Sequence, residues 1–329
     1  DANNSTVVAE ISSDGGSTWT VATSTLSGHV GSGVTPGASK SISWNAGTDF
    51  NNQYDTDMKV RVRASDTFGN AGASSASSAF TVDTKSPVVS NAAGSQDSGA
   101  MTFTFNYDVT EDAGTVNVLL EISSDGGSTW TVASSTAAGA FGSGISTGTG
   151  KIITWNGGTD FNDQEKTNMK IRLSATDQYT NSGNNTSANF NLDTLAPRVT
   201  SVSASQPLAT TTVVIIYSLA DQNNSLVQMD ISSDGGSTWD VTSSSVTGHI
   251  GSGVVPGSKT ITWNAKADFN NQSVSNVKVR ARARDIFANQ SGNSTSSNFL
   301  VDTQPPVSNV ASDLQAQPNA GDTAVIISG

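Results

Sequence analysis

Between residues 101 and 109 apolar and polar side chains alternate: Met101, Phe103, Phe105, Tyr107 and Val109 against Thr102, Thr104, Asn106 and Asp108. A period of two marks a strand with one buried face. Val118, Leu120 and Ile122 continue the pattern on a second strand. Asp125-Gly126-Gly127-Ser128 then supplies turn residues tolerant of positive φ, and Trp130-Thr131-Val132 is predicted to lead away as a third strand. A Gly-rich stretch over 141–150 reads as loop, and Lys151–Trp155 as the next strand. Met169, Ile171, Leu173 and Ala175 alternate with Lys170, Arg172, Ser174 and Thr176, and Asn189–Asp193 closes the pattern. No apolar period of 3.6 competes with it. The prediction is an all-β fold of about six or seven short strands, an antiparallel sandwich.

The same pattern returns. Ile11-Ser-Ser-Asp-Gly-Gly-Ser-Thr-Trp19 recurs from Ile122 and again from Ile231, at steps of 111 and 109 residues. Trp44-Asn45 with Asp49-Phe50, the run Met58–Val62, and Phe80-Thr-Val-Asp-Thr84 keep the same step. Self-similarity at a fixed period marks an array of one module, and about 110 residues suits a domain with its own core. The expected division is 1–84, lacking its first strand, then 85–194, 195–303, and 304–329 as the start of a further repeat. Asp1 lines up with Asp112 and Asp221, and nothing ahead of it matches Met101–Val109. Thr323–Ser328 reads as an apolar, β-prone opening strand. It is expected to pair with a sheet lacking its first strand, either later in the same polypeptide or in another copy. Lys85-Ser86-Pro87, Leu195-Ala196-Pro197 and Gln304-Pro305-Pro306 separate the modules. Proline stiffens such short links, which predicts a rod.

Two resemblances follow from these residues. Lys59–Asp66 and Phe80–Pro87 resemble the late strands and exit linker of bacterial fibronectin type III-like and Ig-like repeats. That family implies surface adhesins, filaments, stalks, or spacers in secreted enzymes. Ser12, Asp14, Gly16, Thr18 and Trp19 resemble the Asp-box of sialidases and β-propellers, as do Ser123, Asp125, Gly127, Thr129 and Trp130, and Ser232, Asp234, Gly236, Thr238 and Trp239. The resemblance implies a hairpin whose Asp and hydroxyl side chains bond its own backbone while the Trp packs beneath. A propeller blade needs only about 40–50 residues, and no sialidase set of arginines with Tyr and Glu is assignable. The motif therefore predicts a structural hairpin in a chain that is not an enzyme.

Composition narrows the partners. The net charge is -12, against nucleic acid and anionic membrane as bulk partners and open to cations. There is no cysteine, hence no disulfide and no cysteine-based zinc site. No apolar stretch approaches the ~20 residues of a membrane span, so no membrane insertion is expected. Calcium is a candidate cofactor, because calcium-rigidified adhesin repeats, which these modules resemble, hold ions near domain junctions. Its candidate ligands are Asp66, Asp177 and Asp285 after the basic strand, and Asp83, Asp193 and Asp302 before the linkers. Turn capping by the same carboxylates is the alternative. Lysine and arginine concentrate on one strand per module: Lys59, Arg61 and Arg63; Lys170 and Arg172; Lys278, Arg280, Arg282 and Arg284. They read as a solvated face or as an assembly stripe for lateral packing against neighbouring repeats or copies, carried by Arg61, Arg63, Arg172, Arg280, Arg282 and Arg284. The sequence thus predicts a non-enzymatic, extracellular or cell-surface structural repeat, a semi-rigid spacer or assembly unit. A glycan- or surface-binding adhesin using Trp44, Trp155 or Trp263, and a spacer of a secreted glycoside hydrolase, are the alternatives.

Overall fold

The computed structural model describes residues 3–307, 315–317 and 326–328. The chain is all-β, and its second and third modules are antiparallel sandwiches of two sheets. In the second module one sheet runs Gly142–Ser146, Thr115–Ser123, Glu165–Thr176, Ser182–Thr186, with Phe190–Asp193 also on Glu165–Thr176. The facing sheet runs Ala138–Gly139, Gly148–Asn156, Thr102–Thr110, Val88–Gln96. The third module repeats both orders, with Gly257–Asn264 held between Val246–Gly248 and Thr212–Ala220.

The predicted alternation is what fills these cores. Phe103, Phe105, Tyr107 and Val109 project inward from one sheet and meet Val118, Ile122, Ile171 and Leu173 from the other. Phe103 and Phe105 flank Trp155, with ring centroids 5.1 and 6.0 Å away. Burial of such large side chains is the dominant favourable contribution to folding.

Two local readings need correction. Residues 130–132 form no strand; a single bridge joins Ile122 to Val132, because the preceding turn spends its backbone groups on its own side chains. The glycine-rich 141–150 stretch is largely strand, Gly142–Ser146 and the start of Gly148–Asn156. Its glycines supply the irregularity: Gly148 has φ +140°, and the register shifts between Gly148 and Lys151. Between the Trp-Asn and Asp-Phe pairs of each repeated phrase lies a one-turn helix, Ala46–Asp49, Gly157–Asp160 and Ala265–Asp268.

The first module differs. Its five-stranded sheet is present, with Ser5–Ser12 between Gly31–Val34 and Tyr54–Ser65. Of the facing sheet, among the described residues, Ile42–Ser43 and Ser27–Gly28 pair. Its buried apolar side chains are Ala9, Ile11 and Met58. Of the predicted strand Thr323–Ser328, residues before Ile326 lie outside the described residues. Ile326–Ser328 pairs antiparallel with Gln315–Gln317.

The chain divides into two compact units, residues 1–195 and 196–329. The first holds modules one and two together.

Candidate metal centre

The thrice-repeated hairpin shows what the Ser-x-Asp-x-Gly-x-Thr-Trp spacing does. Ser123 Oγ donates to Asp125 Oδ1 (2.7 Å) and accepts from the Gly127 amide (2.8 Å). Asp125 accepts from the Thr129 amide (2.8 Å) and hydroxyl (2.7 Å). The same bonds join Ser12, Asp14, Gly16 and Thr18, and Ser232, Asp234, Gly236 and Thr238. Donation by the Thr18 amide, then its hydroxyl, holds the Asp14 carboxyl down at about 2, and the Thr129 groups do the same for Asp125. Asp234 is lowered by the corresponding Thr238 amide. These aspartates bond within their own hairpins.

The hairpin's Trp does not pack beneath it in isolation; it carries the basic strand. The guanidinium carbon of Arg61 lies 4.5 Å from the Trp19 ring centroid, Arg172 lies 4.4 Å from Trp130, and Arg280 lies 4.4 Å from Trp239. Each of these arginines also pairs across the strands. Arg61 bonds Glu10 (2.7 Å), Arg172 bonds Glu121 (2.7 Å), and Arg280 (2.9 Å) and Arg282 (2.7 Å) share Asp230. The stripe of arginines does face outward, with Arg63 and Arg284 the exposed members. Four of its six candidates, however, hold their own module together.

The Asp of the Trp-Asn…Asp-Phe phrase is also spoken for. Asp160 accepts from Trp155 Nε1 (2.9 Å), the Thr136 amide (2.9 Å) and the Thr136 hydroxyl (2.8 Å). Asp49 and Asp268 receive the matching Trp44 and Trp263 bonds. Trp155 and Trp263 are fully buried and Trp44 half-buried. The two buried rings are withdrawn from any ligand surface.

The acids after the basic strand each close a loop. Asp66 accepts from the side chain and amide of Asn70 and the amide of Phe68, and these bonds, the Asn70 side chain first, hold its pKa below the ordinary carboxylate range. Asp177 accepts in the same way from Tyr179 and Asn181, and Asp285 from Phe287 and Asn289. The acids before the linkers cap them. Asp83 Oδ1 accepts from the Lys85 amide (2.9 Å), Asp193 Oδ1 from Leu195 (3.0 Å), and Asp302 Oδ1 from Gln304 (3.1 Å).

Capping and metal binding are not exclusive, because a cap uses one carboxylate oxygen. In the first unit, carboxylate oxygens of Asp83, Glu111 and Asp177 all lie within 4.8 Å of one another. Asp83 is only 8% exposed, and its Oδ2 is buried without a hydrogen-bond partner. Burial first, then the Asp177 charge, pushes the Asp83 carboxyl above its ordinary range; burial likewise raises Glu111, with Asp83 and Asp177 adding to it. An unpartnered buried carboxylate oxygen beside two further carboxylates is costly unless a cation accompanies it. Hard oxygen donors of this kind suit calcium, which takes six to eight oxygens, so carbonyls and water would complete the set. Asn181 ties the site across the modules, bonding both Asp177 Oδ2 (2.8 Å) and the Asp83 carbonyl (3.3 Å). Beside it Lys85 Nζ meets Asp112 at 2.6 Å.

The sequence pointed to Asp83 and Asp177 but not to Glu111. Asp221 was matched there to Asp112; the strand registers pair Val109 with Gly148 and Leu219 with Gly257, which puts Asp221 at the place of Glu111 instead. An acid directly after the opening strand was the available signal. Asp221 is raised by burial and by Asp285, as Glu111 is by its neighbours. Among the described residues Asp66 joins no such cluster, and Asp302 is exposed.

No family model matches the chain, and no curated protein matches it. Three solved structures are similar to it at low identity. A Ca2+-stabilized adhesin that helps an Antarctic bacterium bind ice is 16% identical over 91% of this chain and 69% of its own, with a TM-score of 0.34. The N-terminal eight Ig domains of Down Syndrome Cell Adhesion Molecule are 11% identical over 92% and 38%, with a TM-score of 0.32. A 1.5-MDa bacterial ice-binding adhesin is 16% identical over 91% and 86%, with a TM-score of 0.27. Scores of this size fix neither the fold nor the function of this chain. Among the described residues no helix is long and apolar enough to cross a membrane.

Proposed function

We propose that the chain is a non-enzymatic structural repeat segment of an extracellular filament, stalk or giant surface protein, a semi-rigid spacer or assembly unit in which calcium fixes the junction of the first and second modules. The observation that carries this reading is the partnerless, buried Oδ2 of Asp83 facing Glu111 and Asp177. One ligand comes from the last strand of the first module and two from loops of the second. A cation bridging them converts a short link into a fixed joint, because it binds the two modules only when they are correctly apposed. The hairpins, Arg–Trp stacks and Trp–Asp bonds support the same reading, since each repeated motif serves its own module's cohesion. A glycan-binding reading is left without its best anchors by the burial of Trp155 and Trp263.

The test is a melting curve of the full chain with calcium and with chelator. A ligand at a hundredfold excess over its dissociation constant stabilises by about 2.7 kcal/mol, so calcium should raise the first transition clearly. Asp83→Asn and Glu111→Gln should abolish the rise, while Asp66→Asn should keep it. A curve indifferent to chelator and to calcium would rule out the joint.

A further inference from the structure

The carboxylates of the first unit have a cation of the chain's own beside them. Lys85 reaches the cluster from both ends. Its backbone amide donates to Asp83 Oδ1 (2.9 Å), and its ammonium meets Asp112 Oδ2 at 2.6 Å. Asp112 follows Glu111 directly, and Glu111 Oε1 accepts from the Asp112 amide (2.9 Å) and the Ala113 amide (3.1 Å). A fourth carboxylate therefore stands next to Asp83, Glu111 and Asp177, with a lysine bonded to it. These charges act on one another. Asp112 first, through its hydrogen bond and its charge, then Glu111 and Asp83 push the Lys85 ammonium above its ordinary range.

Stability does not account for the pair. The Lys85 and Asp112 side chains are 45% and 43% exposed, and ion pairs so open to water add little to folding. Nor does the fold of the module require it. The strand registers that put Asp221 at the place of Glu111 put Gln222 at that of Asp112, and Asp193-Thr194-Leu195 stands for Asp83-Thr84-Lys85. The counterparts Leu195 and Gln222 lack both charges together, so the pair belongs to one linker and not to the repeat.

What the pair can do is set how many carboxylates are open to an ion. Calcium affinity is tuned by the count of charged ligands around it, and a carboxylate already matched by an ammonium attracts a cation less. Resting on the calcium reading above, we infer that Lys85 is the affinity-setting residue of the Asp83 site, because by neutralising Asp112 it withholds a fourth carboxylate from the ion. The three-carboxylate site that remains belongs in the weak range of extracellular modules, on the order of 10⁻⁴ to 10⁻³ M. The joint between the first two modules then closes where calcium is abundant and loosens where it is scarce.

The charge of the pair gives the order of affinities. It is neutral in the parent, negative in Lys85→Gln, positive in Asp112→Asn, and neutral again with both substitutions. Calorimetric titration of the full chain with calcium should find Lys85→Gln about tenfold tighter than the parent, Asp112→Asn about threefold weaker, and the double variant near the parent. Lys85→Arg, which keeps the charge, should bind like the parent. A pair that only ties the linker down predicts another pattern. Both single variants would then lose the same contact, melt lower together in chelator, and bind calcium as the parent does. That pattern, or any other order of affinities, overturns the role of Lys85. Asp83→Asn identifies the site being read, since binding heat that it retains comes from other carboxylates. A parent that shows no binding heat, or whose heat Asp83→Asn leaves unchanged, overturns the calcium joint itself and Lys85's role with it.

Discussion

Each residue of the hairpin phrase has one assignable task. Asp125 gathers the Thr129 amide and hydroxyl, Ser123 holds the Gly127 amide, and Gly127 sits at φ +94° against Trp130. A Cβ there would come 3.4 Å from the Trp130 ring in a backbone conformation L-residues avoid. Gly127→Ala should therefore destabilise the second module by about 1–2 kcal/mol, read from its urea midpoint. The aspartates add a pH signature. Asp14 and Asp125 are held at about 2 against an ordinary 3.8. A carboxyl depressed by folding contributes stability that is complete above its unfolded value and lost as pH falls through its folded one. The denaturation midpoint should thus drop between about pH 4 and pH 2, and Asp125→Ala should flatten part of that acid limb.

At the scale of elements, the strand Thr102–Thr110 and the Trp-to-Asp turn decide whether a module closes. Trp155 packs against Phe103 and Phe105 and hands its one polar hydrogen to Asp160. Trp155→Ala should cost about 3–5 kcal/mol. Trp44→Ala, on a half-buried ring, should cost clearly less, and a paired comparison of thermal melts would show it. The alternating strands and the hairpin phrase were legible because their periods are local. The strand content of 141–150 was not, because glycine in a bulged strand and glycine in a loop look alike along the chain. The failure of residues 130–132 to form a strand was hidden for a related reason. Their pairing depends on what the turn leaves available, not on β-propensity.

For the whole molecule the decisive fact is charge gathered from distant positions. Asp83, Glu111 and Asp177 come from two modules and are neighbours only after folding. Without a cation the raised Asp83 and Glu111 carboxyls oppose folding at neutral pH. That penalty is full above their folded values and is relieved as pH falls through them, opposite in sign to the hairpin aspartates. Calcium should therefore stabilise most near neutrality, and its effect on melting should fade on acidification as the two acids take up protons. Chelator at neutral pH and mild acid should leave the Asp83→Asn variant much less affected than the parent.

The sequence by itself determined the class of fold, the repeat, and the candidates Asp83 and Asp177, since alternation, period and linker position are one-dimensional facts. It also marked the arginines, but not that four of the six are engaged with Glu10, Glu121 or Asp230. Only tertiary structure decided which carboxylate oxygen was left over and that Glu111 joins the site. Burial and hydrogen-bond satisfaction belong to the packed chain, because each is fixed by atoms tens of residues away and not by the neighbours along the backbone.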